Sequence, residues 1–386
     1  MPTFPASRLA DIAPFHVMEL MAHARALAAT GRDIIHMEVG EPDFPTPEPI
    51  LAAAQAHVAT GRVFYTPALG LPELRSAIAA FYATRYGITI PSSRIVVTAG
   101  ASGALLLAMA CLAEPGSEWL LTDPGYPCNR NFVRSFEGVP IGMLVHPENN
   151  FQPTLADFEA HWNGRTAGAL LASPANPTGT LLDDDVLAAI AGFVRQQGGQ
   201  LLVDEIYHGL SYERDASTAL QFGDDIFVVQ SFSKYFNMTG WRLGWLVIPE
   251  RFSRDIEKLA QNLFISPSAP AQHAALAAFA PATISILEAR RQEFRRRRDF
   301  LGPALTALGF RLPARAEGAF YLYANCSELT DDSERFAHDL LDATGVAATP
   351  GLDFGSNAPE KHLRFAYTTG VERLAEAAER IRRYLG

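Results

Sequence analysis

Between Arg94 and Pro249 the chain repeats one pattern: a short, unbroken apolar run, then a longer stretch with helical spacing. The runs are "RIVVT", "EWLLT", "GALLAS", "QLLVDEIY", "IFVVQS" and "LGWLVIP". A strand with one wet face alternates apolar and polar residues; these do not alternate, so both of their faces must be covered. The stretches between them, "ASGALLLAMACLA", the segment near Cys128 to Phe136 and the segment from Asp183 to Gln197, read as helices. Strands alternating with helices predict an α/β fold with a mostly parallel sheet between helical layers. "LGWLVIP" follows "IFVVQS" too closely for a helical crossover, which makes it a candidate antiparallel member.

A further helical pattern, from Ala278 to Leu308, leads out of this body. Its centre, "EARRQEFRRRRDF", reads as a solvated helix face rather than a nucleic-acid patch. Beyond it, "GAFYLYA", a helix near Ser333 to Ala343, "HLRFAY" and a last helix suggest a smaller α+β unit, and the first 45 residues are expected to pack with it. The 386 residues are 48% hydrophobic and carry a net charge of -10, which allows a sizeable core and argues against a general polyanion-binding surface. The longest apolar run, Ala104 to Ala113, is far short of the roughly 20 residues a membrane helix needs. The N-terminus lacks a secretory pattern, and Cys111, Cys128 and Cys326 form no CxxC pair. A soluble cytoplasmic protein, bound neither to nucleic acid nor to a membrane, is the expectation.

Chemistry gathers at the ends of the predicted strands. "SFSKYFNMTGWRLG" packs Ser231, Ser233, Lys234 and Arg242 into fourteen residues. Lysine is the side chain that offers a primary amine for covalent bonding to a carbonyl, and Arg242 offers a planar fork suited to phosphate. "TAGASGAL" runs directly into a helix, so the N–H groups of Ala101, Ser102 and Gly103 could cradle an anion, although an ordinary helix start would look the same. Asp204 ends the apolar run "QLLVD". It either meets a cation there or caps the next turn, because a lone buried carboxylate is costly. Glu205 is expected to point away and His208 to be structural. Prolines on both sides of Asn176 fix an extended turn that aims its amide into the crevice, unless it is a simple Pro/Asn turn. The histidines form no HExxH, and no metal site is expected.

In order along nearly the whole chain, "GEPDFPTP", "YTPALGLPELR", "TAGASGAL", "DPGYP", "NPTGT", "VDEIY", "SFSKYFNMTGWRLGW", "GAFY" and "LRFAY" resemble the class I/II aminotransferases, fold-type I enzymes dependent on pyridoxal 5'-phosphate (PLP). The resemblance implies a large PLP-binding domain at about 46–285 with a mostly parallel seven-stranded sheet, and a smaller α+β domain from 1–45 and 286–386, joined by a helix at 278–308. It implies that Lys234 bonds covalently to the cofactor and carries the proton between substrate and cofactor. Asp204 would pair with the pyridine nitrogen, Tyr126 would stack on the ring, and Asn176 and Tyr207 would bond its phenolic oxygen. Ala101, Ser102, Gly103, Ser231, Ser233 and Arg242 would surround the phosphate, with Tyr65 reaching that of a neighbouring subunit, hence a homodimer with shared sites. Gly40, Asn176 and Arg364 would hold the substrate's α-carboxylate, and Phe320 or Tyr321 would lie near the substrate. The implied reaction moves the amino group of an L-α-amino acid to a 2-oxo acid by a ping-pong route. A β-lyase or decarboxylase on the same fold is the alternative. A non-catalytic PLP-binding regulator is a remote one, since "GEPDF" begins at Gly40 and leaves no room for a preceding DNA-binding domain.

Overall fold

The computed structural model describes residues 5–12 and 14–386. Twelve strands are present among them: β1 (Ile35–His36), β2 (Ile95–Thr98), β3 (Glu118–Asp123), β4 (Val139–Leu144), β5 (Thr166–Ala172), β6 (Gln200–Asp204), β7 (Phe227–Ser231), β8 (Gly244–Val247), β9 (Tyr321–Asn325), β10 (Val346–Ala347), β11 (Thr349–Pro350) and β12 (His362–Ala366). Five helices matter for the site: α1 (His16–Ala29), α2 (Glu48–Ala59), α3 (Pro72–Tyr86), α4 (Gly100–Leu112) and α5 (Pro127–Ser135).

A seven-stranded sheet runs in the order β2-β8-β7-β6-β5-β3-β4. Only β8 is antiparallel to its neighbours, β2 and β7. The unbroken apolar runs explain this burial: Leu201, Val203 and Val228 enter the core on one face, and Leu202, Phe227 and Val229 enter a second core on the other. The seventh strand, β4, was not among the runs read above. "VPIGML" holds Pro140 and Gly142 and is largely exposed, and it is an edge strand that pairs with β3 alone. An edge tolerates a proline's missing N–H, so its sequence carries little strand signal.

Beyond the sheet, β11, β12 and β9 form a second, antiparallel sheet. The N-terminal segment joins this region through β1, which pairs with β10. The long helix spans Pro281–Ala307, starting three residues later than expected because Ala277–Phe279 makes a separate turn before Pro281. Its arginine-rich centre is not simply a solvated face. Arg297 is buried and bonds both carboxylate oxygens of Asp43, while Arg298 bridges Glu213 and Asp299. These arginines fasten the helix to its surroundings. Among the described residues, no helix is long and apolar enough to cross a membrane.

Candidate active site

In a parallel sheet the strands' C-terminal ends open into one crevice, where ligands bind. Asn176 follows β5, Asp204 ends β6 with Tyr207 just beyond, and Ser231 ends β7, followed by Ser233 and Lys234. Tyr126 follows β3, and Ala101 and Ser102 open α4. All line one cavity of about 420 Å³ together with Arg242, and with Gly40 and Arg364 from outside the large sheet. Two expected residues lie elsewhere. Gly103 is a turn into α4, where its N–H already donates to the Ala99 carbonyl at 3.4 Å, so it does not face the cavity. Tyr65 is 82% exposed, beside the exposed Val63 and Phe64.

Burial sets the protonation of the central pair. The Asp204 carboxyl is pushed up to about 7, its sole hydrogen bond among the described residues being an N–H from Ile206 at 3.0 Å. The Lys234 ammonium is pulled down to about 8 by the same loss of water. Its Nζ donates to the Gly40 carbonyl at 2.6 Å. Gly40 has to be glycine here, since a Cβ would collide with the Tyr321 hydroxyl. That hydroxyl is paired with Tyr207 Oη at 2.9 Å. Of the two candidates in "GAFY", Tyr321 lines the cavity and Phe320 lies in the core.

At one end the cavity is built for an anion. Ala99 caps α4 without a side-chain bond, leaving the first-turn N–H groups available. Gly100 has φ +70°, and a Cβ there would stand 2.6 Å from Arg242 Nη2. A Cβ on Gly244 would stand 2.8 Å from the Gly100 carbonyl carbon. Both glycines thus let the helix start approach Arg242 and β8. Arg242 Nη1 donates to the Thr239 carbonyl at 3.0 Å, and Ser231 Oγ accepts from the Ser233 N–H at 3.0 Å. A cation, two hydroxyls and a helix N-terminus converge, and among the described residues no carboxylate pairs with Arg242.

The second arginine is likewise uncompensated. Arg364 is buried on β12 and donates to Asn176 Oδ1 at 2.9 Å, the Glu38 carbonyl at 2.5 Å and Thr349 Oγ1 at 3.2 Å. Its Nε is buried without a partner among the described residues. The guanidinium lies 4.4 Å from the Tyr321 ring centre and 4.9 Å from that of Phe354. Among the described residues it has no carboxylate partner, so a structural ion pair does not explain it.

Other titratable neighbours turn away. Glu205 accepts from Thr218 Oγ1 and the Ala219 N–H, and burial raises it to about 8. His208, bonded to Tyr86 Oη at 3.0 Å, is depressed to about 3 by burial and so stays neutral. Sequence reading missed one whole wall: Phe15, Val17, Met18, Met21 and Arg25, at and along α1, together with Glu38 and Glu41. The three-to-four-residue spacing of Val17, Met18, Met21 and Arg25 was the available signal.

Residues 32–381 match the family described as Aminotransferase class I and II. The chain is 38% identical to a valine–pyruvate aminotransferase of Mycobacterium tuberculosis, covering 97% of each protein. It is 34% identical to an aspartate/prephenate aminotransferase of Thermus thermophilus, covering 98% of each. Among solved structures, an aminotransferase from Mycobacterium tuberculosis superposes with a TM-score of 0.96 at 38% identity, covering 100% of this chain and 99% of that one. The Thermus thermophilus aspartate aminotransferase with maleate gives 0.94 at 33% identity, covering 99% and 100%. With the strand-end cavity and its uncompensated charges, these likenesses show that the chain belongs to the class I and II aminotransferase family and is an enzyme of amino-group transfer.

Proposed function

We propose that the enzyme moves the amino group of an L-α-amino acid to a 2-oxo acid with PLP as its cofactor, by a ping-pong route. One observation carries the reading. A single cavity holds Asp204, Lys234, Arg242 and Arg364, and among the described residues none of the four makes an ion pair. Such a site needs a ligand whose charges are the complement, and PLP with an amino acid has them. Ala101, Ser102, Ser231, Ser233 and Arg242 would hold the phosphate, Asp204 the pyridine nitrogen, Tyr126 the ring face, and Asn176 and Tyr207 the phenolic oxygen. Gly103 is left out of this set because its N–H is spent inside α4.

When bound, PLP supplies an aldehyde that takes up the amino group and a ring that accepts electron density from the substrate's Cα. The chain's residues supply the rest. Lys234 is the covalent tether. Burial lowers its pKa to about 8, which raises the share of neutral Nζ able to take the Cα proton and deliver it onward. Asp204 remains a carboxylate when it faces a cation, and so keeps the ring nitrogen protonated. Arg364 and Asn176, with the Gly40 backbone, orient the substrate through its α-carboxylate.

The exposed run Val63, Phe64 and Tyr65 supports a homodimer in which Tyr65 reaches the neighbouring site. The pairing of β1 with β10 supports a small domain formed by 1–45 and 286–386 beside a large domain at 46–285. The free cysteines fit a reducing cytoplasmic setting. The test is a half-reaction: mix PLP-loaded enzyme with an amino acid and no acceptor, then follow the bound cofactor's visible absorbance. A stoichiometric change with release of one equivalent of 2-oxo acid is expected. No change with any of the common amino acids would overturn the proposal. Light scattering at monomer mass would overturn the dimer.

A further inference from the structure

We infer that the preferred amino donor carries an uncharged, apolar side chain, and that Phe15, Met18 and Met21 select it. The inference rests on the aminotransferase reading, with Arg364 holding the α-carboxylate, and adds the chemistry of the rest of the substrate. Val17, Met18 and Met21 present one side of α1 to the cavity, joined by Phe15 just before the helix and by Leu105 and Phe132 from α4 and α5. Phe15 stands edge-on to Tyr126, with ring centres 6.4 Å apart at 78°. This apolar wall therefore begins at the residue proposed to stack on the cofactor.

The wall is held in place. Asp353 is buried and accepts from the N–H groups of His16 at 2.9 Å and Val17 at 3.0 Å, which fixes the start of α1 over the cavity. The methionines add a surface that adapts to side chains of different shape.

The remaining charges along the lining offer a second substrate carboxylate no surplus cation. They are Glu38, Glu41 and Arg25. Glu38 is fully buried, with one oxygen on His36 Nδ1 at 2.7 Å and the other without a partner among the described residues. With Glu38 engaged by His36, Glu41 and Arg25 balance each other, so this part of the cavity has no surplus positive charge. Arg25 is exposed and lies one helical turn beyond Met21. A basic side chain would have to share Glu38 with His36, whose imidazole the contact already holds above its usual pKa.

Buried methylenes give the inference a slope. In single-turnover reactions of the PLP-loaded enzyme with L-alanine, L-2-aminobutyrate, L-norvaline and L-norleucine, each added methylene should raise kcat/KM by up to about fourfold, or about 60-fold across the ladder. L-Aspartate, L-glutamate and L-lysine should fall below norvaline. Met21→Lys should flatten the ladder and improve L-glutamate relative to norleucine. A readout independent of turnover is calorimetric binding of unreactive acids to the wild-type holoenzyme, where 4-methylpentanoate should bind at least about tenfold more tightly than glutarate. A flat ladder, a preference for a charged donor, or tighter binding of glutarate would overturn the inference while leaving amino transfer standing. Absence of any absorbance change with every donor would instead overturn the aminotransferase reading beneath it.

Discussion

Replacing Arg364 by lysine separates the charge of the carboxylate-binding group from its shape. The guanidinium makes three donations, to Asn176 Oδ1, the Glu38 carbonyl and Thr349 Oγ1, and keeps a buried Nε without a partner among the described residues. A lysine ammonium could satisfy some of these acceptors, but it cannot present two parallel N–H groups to a carboxylate. Losing one charge-assisted hydrogen bond costs about 1.5–3 kcal/mol, or roughly 10- to 150-fold in apparent affinity. Arg364→Lys should therefore raise the Michaelis constants for both amino acid and 2-oxo acid by that range, with a much smaller change in kcat, because the bond is made in ground and transition states alike. The assay is steady-state kinetics on protein whose visible absorbance shows full cofactor loading, with a thermal melt alongside. Some loss of melting temperature is expected, since bonds to Asn176 and Thr349 weaken. Unchanged Michaelis constants with a lowered melting temperature would refute the assignment and make Arg364 a structural residue.

Four further outcomes follow from the cavity. Lys234→Ala should abolish turnover while the folded protein still retains PLP noncovalently, as read by absorbance after gel filtration; near-normal turnover would contradict the tether role. Asp204→Asn should lower kcat at least about 100-fold, on the scale of a lost electrostatic partner. Because burial raises Asp204 to about 7, well above 3.8, the folded cofactor-free protein binds more protons than the unfolded chain across that interval, and its stability should fall as pH rises from about 4 to 7. Denaturant melts should show a shallower decline for Asp204→Asn, and identical pH slopes would count against the burial argument. Gly100→Ala combines a φ of +70° with a Cβ placed 2.6 Å from Arg242 Nη2, so PLP affinity should drop by about tenfold or more, and equal PLP titrations for variant and wild type would argue against the anion cup.

The legible parts of this protein are those where residue type and position conflict with the local background. Lys234, Asp204 and Arg242 are charged residues at the ends of apolar runs, and that conflict points to a ligand from sequence alone. The large sheet was legible because strands buried on both faces cannot hide their composition. Its edge strand β4 was not, because exposure together with Pro140 and Gly142 removes both signals. Strands β1, β10 and β11 have two residues each, too few for any periodicity. Around Arg364 the reading was partial. Asn176, 188 residues away, came to the same site through the family resemblance, but the Glu38 carbonyl, 326 residues away, did not, because no local pattern encodes such a meeting. The α1 wall belongs to the same class: Asp353, which holds the helix start, is more than 330 residues downstream.

Two of the cavity's cations are steadied by one short piece of main chain. The carbonyl of Glu38 receives Arg364, and the carbonyl of Gly40, two residues later, receives Lys234. Carbonyl oxygens are common to all residues, so side chains at positions 38 and 39 can vary without removing either acceptor. Mutational drift there would alter the cavity's shape and charge while leaving the spacing of the two restraints intact. Gly40 is the exception, since any side chain collides with Tyr321. Insertions and deletions are the opposite case: one residue gained or lost between these carbonyls would shift both cations relative to each other. The two acceptors thus survive changes of identity and are lost to changes of length, which makes position 39 the place to retune donor preference, since Glu38 is buried and bonded to His36.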